Sequence, residues 1–251
     1  MKALITGASS GIGLDMAKYL ARGKHELILV ARNKEKLEEI QQSLPTKTTI
    51  IAMDLSDIQM VKELYVLTKN ENIDILINNA GFGSCGDVED LSLSNDLDMI
   101  NTNVIALHIL TKSFLKDMIK RNSGYILNVS SSAGLMPGGP LMSTYYATKS
   151  YVRSYTESIY YELKKRKSKV SVSVLCPGPV ATNFNNVANV KFSVKPLSSR
   201  YVAKYAIDEM FKGKMLIIPG FKMKMAKFFS RFVSDKALLK MTYKIQDKKR
   251  K

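Results

Sequence analysis

The sequence predicts a single doubly wound α/β domain, a seven-stranded parallel sheet with helices on both faces. Three observations predict it. Short apolar runs alternate with helical patterns from residue 2 to residue 220, the pace of a parallel sheet with right-handed crossovers. The first run stops at a glycine-rich turn, Thr6-Gly7-Ala8-Ser9-Ser10-Gly11-Ile12-Gly13, which leads into a helical pattern. The next three runs stop at Arg32, Asp54 and Asn78-Asn79-Ala80-Gly81, so four candidate ligand contacts fall on the carboxyl edge of the sheet. Ligands of such sheets sit beyond that edge.

The elements follow in order. Residues 2–5 form the first strand and 14–21 the first helical pattern. The glycines between them let the backbone approach a phosphate, and a helix N-terminus offers unpaired N–H groups and a positive dipole end. Their spacing, Gly-x-x-x-Gly-x-Gly, differs from the Gly-x-Gly-x-x-Gly of the usual dinucleotide motif. The second strand, residues 26–30, ends in Val-Ala-Arg-Asn without a carboxylate. A carboxylate there binds the ribose 2′-OH of NAD and repels a 2′-phosphate, whereas Arg32 can pair with that phosphate, so NADP is expected over NAD. The bland alternative is an exposed loop arginine. Helices are expected over residues 34–43, 56–70, 94–120, 145–166 and 199–212, with Ser198 or Ser199 as a cap for the last. Strands are expected over residues 48–53, 74–77, 124–130, 170–176 and 215–218. Residues 183–193 are polar and show no period. No repeat or linker interrupts residues 1–220, and residues 221–251 read as a basic, amphipathic extension.

The chain has 251 residues and a formal net charge of +16. From Lys212 onward thirteen basic residues face only Asp235 and Asp247, so the charge is concentrated in the extension. That distribution argues against nucleic-acid binding by the main body. The opening residues are too short an apolar run for a signal peptide, and no run is long enough for a membrane span. Cys85 and Cys176 form no spacing motif and are expected to be reduced thiols in a cytoplasmic protein. A lone His108 in a helical stretch is expected to be structural.

Thr144-Tyr145-Tyr146-Ala147-Thr148-Lys149 places Tyr145 and Lys149 one helical turn apart. An ammonium beside a phenol favours the phenolate, so the Tyr145 pKa is expected below its ordinary value. Tyr65/Lys69, Tyr160/Lys164 and Tyr161/Lys165 share the spacing. The first lies inside a helix expected to present it to solvent. The other two lie four turns further along their helix than Tyr145. Tyr145 stands apart because its helix follows the strand that ends in Ser130-Ser131-Ser132, on the edge that carries the glycine turn.

Together these motifs resemble the short-chain dehydrogenase/reductase family over nearly all of residues 2–220, in the family's order and near its spacings. The matching pieces are the glycine turn, Asn78-Asn79-Ala80-Gly81, Asn103 within Asn-Val-Ile-Ala, Ser131, Tyr145-x-x-x-Lys149 and Pro177-Gly178-Pro179-Val180-Ala181-Thr182. The resemblance implies a Rossmann-like fold and hydride transfer between NADP(H) and a carbonyl or alcohol, with Tyr145 as the proton donor or acceptor. It implies that Ser131 hydrogen-bonds the carbonyl, that Lys149 lowers the Tyr145 pKa and holds the nicotinamide ribose, and that Asn103 positions a water. The expected cofactor contacts are Gly7, Ser9, Ser10, Gly11, Ile12, Gly13, Arg32, Asp54, Leu55, Asn79, Ala80, Gly81, Tyr145, Lys149, Pro177, Gly178, Val180 and Thr182. Asp54 and Leu55 would border the adenine and Thr182 the carboxamide. Ser131 and Tyr145 are 14 residues apart, about one more than is usual in the family, which leaves Ser130 and Ser132 as alternative working hydroxyls. A homodimer or homotetramer is what the family implies.

In the extension, Phe221, Met225, Phe228, Phe229, Phe232 and Val233 recur at helical spacing among Lys222, Lys224, Lys227 and Arg231. Three readings stand: residues 221–245 contact an anionic membrane peripherally at its inner face, cover a lipophilic substrate pocket or make a subunit contact, or pack on the domain. Residues 248–251 are expected to be disordered. A functional alternative to the reductase is an NADP-binding regulator or membrane-associated scaffold without turnover.

Overall fold

The computed structural model describes residues 1–182, 184 and 196–250, with side chains for all but 249 and 250. Apart from Phe184, the polar stretch 183–193 and the rest of the loop to residue 195 lie outside the described residues, as does Lys251.

Seven strands form one parallel sheet: β1 (Lys2–Thr6), β2 (Glu26–Ala31), β3 (Thr48–Ala52), β4 (Ile75–Asn78), β5 (Tyr125–Val129), β6 (Ser171–Leu175) and, after a small separate pair, β9 (Leu216–Ile217). The separate pair is β7 (Val180–Ala181) with β8 (Leu197–Ser198), short strands that the residue pattern did not signal. The main sheet runs in the order β3-β2-β1-β4-β5-β6-β9. The strand order reverses between β1 and β4, which sets a crevice at their carboxyl ends.

Alternation along β1 shows how the layers form. Ala3 and Ile5 pack with Met16, Ala17 and Leu20 of α1 (Gly11–Arg22) and with Val202, Ala206 and Met210 of α7 (Ser199–Phe211). Leu4 points the other way. It packs with Val61 and Leu64 of α3 (Ile58–Thr68), Leu110 and Phe114 of α5 (Leu107–Arg121), and Ile159 and Leu163 of α6 (Ser143–Lys165). Each fully buried aliphatic side chain contributes about 1.5–3 kcal/mol, which makes these two layers the dominant stabilising term. Caps define the helix starts. Asn33 accepts from Lys36 N at the head of α2 (Lys34–Ser43), Asp57 accepts from Gln59 N in α3, and Ser198 accepts from Tyr201 N in α7.

A single long helix expected over residues 94–120 is broken. α4 (Leu93–Ile100) passes into a π-helical segment, Asn101–Ala106, before α5. Wide turns of this kind interrupt the regular ladder and gather at functional sites. The Tyr65/Lys69 pair also differs from expectation. Tyr65 is half-buried, edge-on to Phe114 at 5.3 Å, and its hydroxyl donates to Asp117 at 2.8 Å. His108 is structural as expected, sharing a 2.7 Å hydrogen bond with the Tyr151 hydroxyl and stacking on Tyr155.

Beneath the crevice lies a buried polar ladder. Asn78 Nδ2 donates to Thr111 Oγ1 at 3.0 Å and to Asn128 Oδ1 at 2.9 Å. Asn128 Nδ2 then donates to Thr156 Oγ1 at 3.0 Å. It links β4 and β5 to α5 and α6, so the floor of the site and the helix bearing Tyr145 are held by the same bonds.

The extension forms two helices, α8 (Phe221–Ser230) and α9 (Asp235–Arg250). The expected disorder from residue 248 is therefore not found over 248–250, which continue α9. Leu238, Thr242 and Gln246, spaced four apart on α9, are buried against the domain. No residue of α8 is buried. Among the described residues no helix is long and apolar enough to cross a membrane.

Candidate active site

A cavity of about 640 Å³ follows the carboxyl edge of the sheet and collects almost every residue that the motifs single out. At one end it is lined by Gly7, Ser9, Ser10, Gly11 and Ile12, by Arg32 after β2, and by Asp54 and Leu55 after β3. In the middle come Asn79, Ala80 and Gly81 after β4. Beyond them are Ser131, Tyr145, Lys149, Pro177, Gly178, Val180 and Thr182.

The glycine turn is built against the β4 turn at backbone distance. Gly7 has φ +64°, and a Cβ on it would meet the Ala80 Cα at 2.8 Å. A Cβ on Gly13 would meet the Gly7 carbonyl oxygen at 2.4 Å. Asn79 Nδ2 donates to the Thr6 and Gly7 carbonyls at 3.1 and 3.0 Å, and Thr6 Oγ1 accepts from Asn79 N and Ala80 N. The Asn79 side chain is thus spent on bracing the turn, and its backbone faces the cavity. The result is a rigid concave surface at the N-terminus of α1, where Ser10 stands at the cap position with its hydroxyl unused by the helix. Such a surface suits a pyrophosphate.

Arg32 is exposed at the cavity rim, and among the described residues no ion pair neutralises it. Asp54 accepts from both the amide and the hydroxyl of Ser56 at 2.9 Å, so its carboxylate is oriented within its own turn. Leu55 beside it is buried.

The three serines after β5 separate cleanly. Ser130 Oγ donates to the Lys149 carbonyl at 2.6 Å and is buried, so it fastens α6 to the strand end. Ser132 N donates to the Pro177 carbonyl at 2.7 Å, which joins the two loops that flank the cavity. Ser131 Oγ lies within hydrogen-bonding reach of the Tyr145 phenol and also accepts from Ala133 N. Of the three, Ser131 has the hydroxyl that faces the tyrosine.

Tyr145 is the third residue of α6 and is 8% exposed. Burial pushes its pKa up to about 12, and the Ser131 hydrogen bond only partly offsets this. The expected lowering by Lys149 is therefore overturned: loss of hydration for the phenolate dominates, and Lys149 sheds its charge at a lower pH than that at which Tyr145 titrates. Lys149 is itself buried, and burial brings its pKa down to about 8. Its Nζ sits 5.8 Å from the Tyr145 ring centroid and donates to the Val129 carbonyl at 3.1 Å.

Asn103 lies in the π-helical segment behind the β4 turn. Its Oδ1 accepts from Phe82 N at 3.1 Å, and its Nδ2 donates to the Phe82 carbonyl and to Thr148 Oγ1. Its side chain is buried, with both amide hydrogens donated within the protein. It pins the Gly81-Phe82 corner to α6. Thr182 is placed against the glycine turn, its Cγ2 3.0 Å from where a Cβ on Gly11 would stand.

Sequence reasoning missed Gln246. It lies on α9, is 2% exposed, lines the cavity, and donates from Nε2 to the Tyr146 hydroxyl at 2.6 Å, while its Oε1 has no partner among the described residues. Met142, Tyr146 and Phe184 complete an apolar wall around Tyr145. Only the four-residue spacing of Leu238, Thr242 and Gln246 could have signalled the inward face of α9, and two of those three residues are polar.

A family model described as short chain dehydrogenase matches residues 1–191. The chain is 32% identical over 210 residues to a very-long-chain 3-oxoacyl-CoA reductase of Anas platyrhynchos, covering 80% of this chain but only 66% of that protein. It is 32% identical over 234 residues to an NADP-dependent 3-hydroxy acid dehydrogenase of Schizosaccharomyces pombe, covering 86% of this chain and 88% of that one. Among solved structures, a short-chain dehydrogenase from Sphingobium yanoikuyae in complex with NADPH superposes with a TM-score of 0.83 over 95% of both chains at 24% identity. The matched sequence, the parallel sheet and the cavity at its carboxyl edge agree, and this chain belongs to the short-chain dehydrogenase family.

Proposed function

We propose that the chain is an NADPH-dependent oxidoreductase that reduces a ketone or aldehyde, or oxidises the corresponding alcohol. One observation carries the reading: Tyr145, Ser131 and Lys149 meet at the wall of a cavity that continues to the glycine turn and Arg32. The residues present suit a dinucleotide. The glycine turn packs on the β4 turn too closely for any Cβ at Gly7 or Gly13 and lines the cavity, the head of α1 offers amides to phosphates, and among the described residues no ion pair occupies Arg32, which leaves it for a 2′-phosphate.

When bound, the nicotinamide supplies or accepts the hydride. The chain's own residues manage the proton. With a pKa near 12, Tyr145 is protonated at neutral pH and donates its hydroxyl proton to the oxygen that becomes the alcohol. Ser131 donates a hydrogen bond to the same oxygen as negative charge develops there. Lys149, charged below about pH 8, favours the phenolate left on Tyr145 once its proton has gone. In the reverse direction the phenolate takes the alcohol proton. Met142, Tyr146 and Phe184 favour a lipophilic carbonyl compound and exclude water from it. A homodimer or homotetramer in the cytoplasm belongs to the same proposal. The oligomer is supported by the exposed apolar residues Leu93 and Leu97 on α4 and Tyr161 on α6.

Carbonyl-dependent NADPH consumption by the wild type and by Tyr145→Phe tests the mechanism. The variant is expected to lose about 10²–10⁴-fold in turnover while keeping NADPH affinity. Equal turnover would sink the assignment. NADPH binding by the wild type with no turnover on a broad carbonyl panel would favour the regulator or scaffold.

A further inference from the structure

Helix α8 is amphipathic with its apolar face turned away from the protein. Met223, Lys227 and Ser230, spaced one turn apart, are its half-buried residues and mark the side that faces the body. Met223 packs against Gly178, and the Lys227 ammonium is partly stripped of water, which lowers its pKa. The opposite side carries Phe221, Met225, Phe228, Phe229 and, just past the helix, Phe232, at the spacing of a single stripe. These are exposed by 75%, 37%, 52%, 53% and 75%. Phe228 contacts both Phe229 and Phe232 edge-on, with ring centroids 5.5 and 5.6 Å apart, so the stripe is one continuous aromatic surface. A soluble protein rarely leaves such a patch uncovered.

Lys222 and Lys224 flank the stripe, and Arg231 follows the helix, with no acidic residue anywhere in Phe221–Ser230. The neighbouring α9 adds Lys236, Lys240 and Lys244. Charge of one sign beside exposed aromatic rings matches an interface of headgroup phosphates over acyl chains. A second copy of the same face would oppose cation to cation. We propose that α8, and not the whole of residues 221–245, is a docking surface for an anionic lipid membrane, lying in the interface plane with Phe228 and Phe232 in the acyl boundary. α9 is set apart from the contact because Leu238, Thr242 and Gln246 bury one of its faces against the domain, where Gln246 lines the cavity. Met223, on the inner side of α8, is part of the packing around Gly178, so docking would set the cavity about one helix diameter, roughly 10 Å, from the lipid.

The test is co-sedimentation of the full chain with vesicles of phosphatidylcholine alone and of phosphatidylcholine mixed with phosphatidylglycerol. It is run on wild type, Phe228→Ser/Phe232→Ser and Lys222→Glu/Lys224→Glu, with sedimentation velocity of each without vesicles. The expected result is binding to the mixed vesicles only, weakened by salt, and reduced at least tenfold by either double variant, with turnover of a water-soluble carbonyl unchanged. Each basic residue near the surface contributes about fivefold to partitioning. Binding that survives the aromatic replacements would mean charge alone is responsible and would overturn the proposal. So would absence of binding, including the case where Phe228→Ser/Phe232→Ser instead dissociates an oligomer and makes the stripe a contact between copies.

Discussion

The two ends of the cavity are made of different material. The end formed by β1 to β4 is mostly backbone: glycines at van der Waals limits, carbonyls clasped by Asn79, and amides at the head of α1. The end formed after β5 is mostly side chain: Ser131, Tyr145, Lys149, Met142, Phe184 and, from α9, Gln246. A backbone surface can be shaped by only a few residue types, so it repeats as a motif and suits a ligand common to many reactions. A side-chain surface can be rebuilt one residue at a time, so it suits the ligand that varies.

The comparison can be broken at several points. The largest effect is expected from Gly13→Ala, because the new methyl meets the Gly7 carbonyl oxygen and Asn79 Nδ2, each at 2.4 Å. NADPH binding measured by titration should be lost, with a melting temperature several degrees lower, since overpacking costs about 1–3 kcal/mol. Wild-type affinity in this variant would show that the backbone end is pliable. Arg32→Asp comes next. Removing a charge-assisted pair and adding a repulsive carboxylate should weaken NADPH by about 10–100-fold and spare NADH. Unchanged preference in paired titrations would take Arg32 out of the site.

A smaller effect is expected in the pH profile of reduction. Tyr145 keeps its proton to about pH 12, so the first group to change is Lys149, which loses its charge as pH rises through about 8. Turnover for reduction should be level below that value and fall above it. A profile level to pH 10 would remove Lys149 from the charge argument. The smallest effect is expected from Gln246→Leu, which should shift KM for the carbonyl severalfold, in a direction set by substrate polarity, and leave NADPH affinity alone. A change in NADPH affinity would mean that the two ends are not independent.

Legibility in the sequence follows the same division. The glycine turn, Asn78-Asn79-Ala80-Gly81 and the position of Tyr145 after the serine strand were readable because each sits at a strand end, and strand ends share an edge. Helix and strand order was readable from apolar periodicity. The Tyr145 pKa was not, because spacing reports the neighbouring lysine but not the burial that raises the tyrosine and lowers the lysine. The bonds of the Asn103 side chain were not readable because its partners, Phe82 and Thr148, are 21 and 45 residues away. Gln246 was missed for the same reason, its bond to Tyr146 spanning 100 residues. The α8 stripe was plain in the sequence, but its direction was not, since periodicity locates a face without saying what it faces.

The ladder of Asn78, Thr111, Asn128 and Thr156 has a consequence for assembly of the sheet. Asn78 and Asn128 are direct partners across β4 and β5. A slip of one residue would turn the two amides to opposite faces and strand them without partners, at about 1–3 kcal/mol for each buried polar group left unsatisfied. Apolar neighbours such as Leu76 and Ile126 would tolerate the slip far better. The ladder therefore works as a ruler. Misaligned pairings are penalised before the helices lock, and since Asn78 is the residue before the Asn79–Gly81 corner, the same check that aligns the strands also sets the height of the floor on which a ligand rests.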